Sequence, residues 1–416
     1  MKMSRKIRLG LIGCGGIMAV HLHGYKALID KKVNVEITSL CDIDIDNAKS
    51  FRKRGEGPPP KKSVAPPGDP LSAPHIYVSD FQAKEPEIYD DYRKMLRESD
   101  IDAVDIYTSV SAHHPIAVDS LRAGKHVMVE KPLAVTVKAA RKMIDAADEA
   151  KKVLGVAEGI RYLPFVRMTK WAINNGFVGD VQLAVQMSLG GWWSPDKIVA
   201  ATPWRHDKLS AGGGAIMDMG VHTVDLLRYL FGEIDTVTGL VKTLEETRIT
   251  RDDSGKIIQK IKADVDDTFL AILKFEKGPI AQVSFSWALH GPRTAPMVLP
   301  TIYGSKGVVR MNTIALDDGN KLDIGKLFEE RAGTDLKSKL FPYGLTDPAA
   351  LETNEFLNAI IEGREMETNG GEGLKDIAAS YAIIESSRLE RTLKVKSVET
   401  GEIAGYESEI NKRYGL

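Results

Sequence analysis

The first 157 residues alternate short apolar runs with stretches of helical period, and that alternation restricts the fold more than any other feature. Strand–helix–strand units lay successive strands parallel and require helices on the faces of the sheet. The pattern predicts strands over Ile7–Ile12, Val33–Cys41, Asp102–Tyr107, Lys125–Glu130 and Val153–Ala157. Helices are expected over Ile17–Ile29, Ile45–Arg54, Glu87–Glu98, His114–Ala123 and Val137–Ala150. Ten of the twenty residues 55–74 are Gly or Pro, so this insert is expected to be loop. After residue 158 the pattern changes. Helices are expected over Pro164–Asn174, Gly220–Phe231, Glu352–Glu362 and Leu374–Glu390. Longer strands over Val181–Leu189, Val237–Leu244, Asp267–Phe275, Ile280–Trp287 and Thr301–Met311 are separated by turn signals. The expected architecture is α/β. A doubly wound domain over 1–158 precedes an α+β domain over 159–416, whose sheet is large, open and mainly antiparallel.

Charge and cysteine usage narrow the function classes. Lys and Arg number 56 against 57 acids, a net charge of −1, so no global field gathers nucleic acid or an anionic membrane. The apolar stretch Leu9–Val20 follows a basic start, yet its glycines read better as a strand entering a turn than as a signal peptide. Two cysteines, Cys14 and Cys41, make neither a disulfide framework nor a zinc cage. A cytoplasmic protein of two domains, holding no metal, is expected.

Gly13-Cys14-Gly15-Gly16-Ile17-Met18 falls between the first strand and the first helix. There a glycine allows the tight turn and close backbone approach to a pyrophosphate on the helix N-terminus. Met18 stands where the third glycine of the fingerprint is usual, a position that governs helix–strand packing. Asp42, 27 residues after Gly15 and at the end of the second strand, suits ribose hydroxyls and repels a 2′-phosphate. NAD is therefore favoured over NADP. A strand-end acid with no ligand is the competing reading.

Two further groups carry proton chemistry. Glu130-Lys131-Pro132 closes the strand expected over Lys125–Glu130, at the sheet edge where ligands of open α/β folds collect; the Lys131 ammonium suits a substrate hydroxyl on its way to alkoxide. Asp218 and His222 stand four apart after Gly212-Gly213-Gly214, glycines that permit a ligand to approach the backbone. A histidine there takes a hydroxyl proton and the carboxylate supports its charged form, or the two are a helix-surface ion pair. Trp192, Trp193 and Trp204 suit the apolar faces of a sugar ring or, equally, a core or interface; Arg205 is a candidate for cofactor or substrate. His21, Cys14 and His114 read as packing or local hydrogen bonding.

Together these motifs, with Thr108 to His113, Ala123-Gly124-Lys125-His126 and Arg161-Tyr162, resemble the glucose–fructose oxidoreductase / inositol dehydrogenase / rhizopine-catabolism family from about Ile7 to about Lys394. The resemblance implies a Rossmann domain, then an α/β domain whose open sheet mediates homodimers or homotetramers, and NAD(P)-dependent oxidation of a sugar or polyol. It implies Lys131, Asp218 and His222 as the catalytic trio; Tyr162, Trp204 and Arg205 are expected toward substrate. It also implies that Thr108, His113, Glu130, Lys131 and Arg161 join the glycine turn at the cofactor. Ser109 and Val110 replace the family's frequent Pro-Asn, and the insert at 55–74 departs from its usual connection. Two alternatives share these residues: a glycosidase that oxidises transiently and regenerates its NAD, and a non-catalytic NAD-sensing regulator.

Overall fold

The structure is a computed structural model and describes residues 5–60, 72–190, 202–252, 254–291 and 299–416. Chain contacts divide it into two units. The first comprises 1–135, 139–162 and 341–373; the second comprises 136–138, 163–340 and 374–416. The first therefore takes in a late segment, 341–373, that a division at residue 158 does not assign to it.

In the first unit the elements run β1 (Ile7–Ile12), α1 (Met18–Asp30), β2 (Val35–Cys41), α2 (Ile45–Arg52), β3 (Glu87–Tyr89), α3 (Tyr92–Glu98), β4 (Ala103–Ile106), α4 (Val110–Arg122), β5 (His126–Glu130), α5 (Val137–Ala150) and β6 (Leu154–Ala157). The sheet order is β3-β2-β1-β4-β5-β6, and every pairing in it is parallel. Leu9, Leu11, Ile37, Val104, Val127 and Met128 are fully buried, as strands covered on both faces require. Helix α1 presents Met18, Leu22, Tyr25 and Leu28 to that core, at helical spacing. Parallel pairing brings the carboxyl ends of β1, β2, β4 and β5 to one edge. Backbone bonds from Gly13 to Cys41 (2.8 Å) and from Tyr107 to Ile12 (2.7 Å) fix the loops that leave it.

Two expectations fail here for local reasons. Glu87–Glu98 is not one helix: Ser39, Leu40 and Cys41 pair with Glu87, Ile88 and Tyr89, and the helix starts only after Asp91, whose side chain caps Arg93. The helix expected at His114 starts four residues earlier, at Val110. Of the insert, residues 61–71 lie outside the described residues.

The second unit continues with α6 (Pro164–Asn174), β7 (Val181–Leu189), α7 (Lys208–Ala211), a π-helical turn (Ile216–Gly220), α8 (Val221–Phe231), β8 (Ile234–Lys242), β9 (Thr247–Arg251), β10 (Ile257–Lys262), β11 (Thr268–Phe275), β12 (Ile280–Ser286), β13 (Thr301–Gly304), β14 (Gly307–Arg310), β15 (Thr313–Leu316), β16 (Lys321–Asp323), α9 (Ile324–Arg331) and α10 (Thr334–Leu340). Helix α11 (Pro348–Glu362) belongs to the first unit; α12 (Gly370–Leu389), β17 (Leu393–Lys394), α13 (Val395–Glu399) and α14 (Ser408–Tyr414) follow. Nine strands form one sheet, ordered β16-β15-β14-β13-β7-β12-β11-β8-β17. All its pairs are antiparallel except β12 with β7. The single strand expected over Thr301–Met311 is a hairpin. At its turn, a side chain on Gly304 would meet the Val178 carbonyl at 2.2 Å, and one on Gly307 the Ala315 carbonyl at 2.3 Å. The β9–β10 hairpin stands apart as a two-stranded sheet.

Candidate active site

The glycine turn is built around Asp42. Its Oδ2 accepts the Cys14 N–H at 2.7 Å, while Oδ1 accepts Asp44 N–H (2.9 Å) and Asn47 Nδ2 (3.3 Å). Gly13 has φ of +94°, and a side chain there would strike the Tyr107 backbone at 2.8 Å, so both conformation and space demand glycine. Gly15 and Gly16 are the opposite case. Both are exposed, and among the described residues nothing beyond the adjoining chain lies within 4 Å of the place a Cβ would take. That open backbone beside the start of α1 fits a pyrophosphate. Cys14 and Met18 turn their side chains into the core, so any contact they make with a nucleotide is through backbone; Ile17 is half-buried.

Lys131 follows β5 directly and is half-buried, and its peptide bond to Pro132 is cis. The turn around it is tied from two sides. The Glu130 carboxylate accepts the Lys131 N–H (3.0 Å) and faces His21 Nε2 at 2.7 Å. His113, fully buried after the β4 edge, contacts the Pro132 carbonyl through Nδ1 (3.0 Å) and the Thr108 carbonyl through Nε2 (3.1 Å). Burial holds the His113 imidazole below its ordinary range, and a neutral ring donates to only one of those carbonyls at a time.

Behind Glu130 lies a shell the sequence reading did not find. His21 stacks on Tyr107 with centroids 4.3 Å apart, and its Nδ1 is 3.7 Å from Glu352 Oε1. Asp105 Oδ2 accepts the hydroxyls of Tyr25 (2.8 Å) and Tyr107. Burial is the largest influence on His21 and opposes its charge. The hydrogen bond and charge of Glu130, helped by Asp105 and Asp347, outweigh it and lift the imidazole above its ordinary value. Burial raises Asp105 to about 6 and pushes Glu352 well above the carboxylate range, the latter helped by Glu130, Asp105 and Glu158. His21, expected in packing or local hydrogen bonding, does both, and its hydrogen-bond partner belongs to the Lys131 turn. Its helical spacing among Met18, Leu22 and Tyr25 is that of a core position, so only a partner 109 residues away reveals it.

Arg161 and Tyr162, placed by a short turn over Gly159–Tyr162, are buried in the first unit. Arg161 reaches the Glu367 carbonyl and the Glu372 carboxylate, each at 3.4 Å, and the Tyr162 hydroxyl lies 3.5 Å from Thr368 Oγ1.

In the second unit Arg205 joins two of the expected groups. Its guanidinium lies 4.4 Å over the Trp204 ring, and Nε donates to Asp218 Oδ2 at 3.0 Å. Asp218 belongs to the π-helical turn and His222 to the first turn of α8; both are half-buried. Two of the three glycines before them, Gly213 and Gly214, answer to packing rather than to an approaching ligand. A Cβ at Gly214 would stand 1.7 Å from the Asp266 carbonyl oxygen, and one at Gly213 would stand 2.6 Å from Met217. Trp192 and Trp193 lie outside the described residues.

An acid-locked glycine turn opening a helix, at the carboxyl edge of a six-stranded parallel sheet, defines a dinucleotide-binding Rossmann protein. The chain belongs to the glucose–fructose oxidoreductase / inositol dehydrogenase / rhizopine-catabolism (Gfo/Idh/MocA) family. Residues 7–158 match its oxidoreductase-family NAD-binding Rossmann fold and 166–310 its C-terminal domain. Levoglucosan dehydrogenase of Pseudarthrobacter phenanthrenivorans is 27% identical over 329 residues, covering 74% of this chain and 83% of that one. D-apiose dehydrogenase of Paraburkholderia graminis is 24% identical over 409 residues, covering 95% and 91%. Among solved structures, levoglucosan dehydrogenase in complex with NADH and L-sorbose superposes with a TM-score of 0.70 at 24% identity, covering 94% of this chain and 99% of that one. That likeness concerns the fold. Among the described residues no helix is long and apolar enough to cross a membrane.

Proposed function

We propose that this chain is an NAD-dependent dehydrogenase that moves a hydride between the nicotinamide and a secondary hydroxyl of a sugar, sugar derivative or cyclitol. The observation that carries the reading is the glycine turn, held by Asp42 and open at Gly15 and Gly16. The relatives' names, levoglucosan and apiose dehydrogenase, supply the substrate class. Backbone of Gly13–Met18 would hold the pyrophosphate. Asp42 would hold the ribose and disfavour a 2′-phosphate, so NAD is preferred to NADP. Thr108, His113, Glu130 and Arg161 would complete the cofactor's surroundings. The bound nicotinamide supplies the hydride acceptor. In this reading the Lys131 ammonium bonds the substrate oxygen and favours alkoxide, while His222 takes the hydroxyl proton. Asp218, steadied by Arg205, orients the imidazole, and Tyr162, Trp204 and Arg205 serve the substrate.

A cytoplasmic location and a homodimer or homotetramer belong to the same proposal. Screening NAD⁺ and NADP⁺ reduction over a panel of sugars, sugar derivatives and cyclitols tests it. NADH accumulation with one of them, faster with NAD⁺ than with NADP⁺, is the expected result. Release of reducing sugar from glycosides without NADH would transfer the reading to the glycosidase, and inertness on the whole panel to the NAD-sensing regulator.

A further inference from the structure

Three consecutive backbone N–H groups, those of Gly214, Ala215 and Ile216, all end on one residue. Asp266 Oδ1 accepts Gly214 N–H at 2.8 Å, and Oδ2 accepts Ile216 N–H at 2.9 Å. The Asp266 carbonyl accepts Ala215 N–H at 3.0 Å. These groups open the helical run that carries Asp218 in its π turn and His222 in α8. The first N–H groups of a helix have no intrahelical acceptor, and an anion beside them is also favoured by the helix dipole. A neighbouring residue usually supplies that cap. Here it comes from 50 to 52 positions downstream, where the chain enters β11. The link to the site is short. The Asp218 N–H bonds the carbonyl of Gly214 at 3.0 Å, the same residue whose N–H Asp266 holds.

The cap is specific to a carboxylate. Two N–H groups need two acceptor oxygens, whereas an amide offers one and points its own donors at the other N–H. Nor does folding explain the charge. Asp266 is 6% exposed, and burial above all holds its pKa up at about 6, although the backbone bonds pull it down. A folded value above the ordinary 3.8 means that its favourable contribution to stability is present below that value and lost as pH rises through about 6. At neutral pH, therefore, the ionised group is kept at a cost to stability.

We propose that Asp266 is a positioning residue of the catalytic site, whose carboxylate sets the start of the helical run and thereby the pose of Asp218 and His222; the catalytic half of this statement rests on the function proposed above. The test compares full-length wild type, Asp266→Asn, His222→Ala and the double variant, using NAD⁺ and the best substrate of the panel. In Asp266→Asn, amides of 214–222 should exchange with deuterium roughly 10-fold faster or more, with first-unit amides unchanged. The kcat should fall about 10- to 100-fold, with KM, NAD affinity and Tm at pH 7.5 little altered. The double variant should be no slower than His222→Ala alone. Asp266→Ser, which keeps one acceptor, gives the same readings should the amide variant not fold. Wild-type protection of 214–222 would overturn the proposal, as would additive losses in the double variant or a Tm loss accompanied by equal loss of NAD affinity. Deuterium exchange reads the cap whatever the reaction: a loosened segment with His222→Ala fully active would sink the function of His222 and leave the capping role standing.

Discussion

Glu352 is buried beside His21; among the described residues its Oε2 has no hydrogen-bond partner, and Oε1 lies 3.7 Å from His21 Nδ1. Burial first, and the charges of Glu130, Asp105 and Glu158 after it, place its folded pKa well above its ordinary 4.5. The sign follows. The folded state binds a proton more tightly than the unfolded chain, so stability is complete below about 4.5 and falls as pH rises toward the folded value. Glu352→Gln removes that titration. Its stability relative to wild type should grow with pH above 4.5 by at most about 1.4 kcal/mol per unit. Thermal melts from pH 5 to pH 8 check this; a constant or shrinking difference would show that Glu352 ionises without penalty. At this scale the sequence exposes residues whose meaning lies in their place on a strand end, such as Asp42 and Lys131. It conceals His21, Glu352 and Asp266, because their roles come from partners that only the folded chain delivers.

At the scale of elements, α1 and α11 meet at a glycine. A Cβ on Gly24 would stand 2.8 Å from the Ala349 backbone carbon, and backbone cannot step aside as a flexible side chain can. Gly24→Ala should therefore cost roughly 1–3 kcal/mol, as overpacking does. Denaturant melts should show it, with kcat of the folded fraction close to wild type. Unchanged stability would mean that the two helices separate easily. Periodicity reads most elements of this chain and fails where pairing or space decides. Glu87–Tyr89 is helical by composition, yet β2 recruits it as a strand. The triple glycine resembles a ligand-facing loop, yet the Asp266 backbone takes the room at Gly214. No side-chain period distinguishes the π turn over Ile216–Gly220 from the α-helix that continues it.

For the molecule as a whole, the nine-stranded sheet carries the strongest expectation. In register across β7, β12, β11 and β8, Leu183, Ile280, Leu270, Ile272 and Leu240 lie on one face and are 40% to 51% exposed. On the other face Ala184, Val237, Ala271, Leu273, Ala281 and Val283 are buried. An apolar patch of this kind is characteristic of association. A homodimer or homotetramer burying more than roughly 1,200 Å² per interface is the expected state. Light scattering should give a multiple of 45.6 kDa, and Leu270→Lys with Ile272→Glu should return it to the monomer mass. A wild-type mass equal to one chain would refute the expectation. The two-part plan of the molecule is legible in the sequence from the switch in strand pattern. The membership of 341–373 in the first unit is not, because it depends on contacts such as Gly24 with Ala349 and Arg161 with Glu372.

In the proposed reaction His222 takes the proton of a hydroxyl whose carbon gives up hydride. Steady-state NADH formation by His222→Ala on the best substrate, beside direct measurement of NAD affinity, tests it most directly. The kcat should be lower by roughly 10²- to 10⁴-fold with NAD binding nearly unchanged, since the proposed nucleotide site is the glycine turn and Asp42. Near-wild-type turnover by His222→Ala would contradict it, leaving Asp218 and His222 as surface charge and Lys131 as the first group to test as the base.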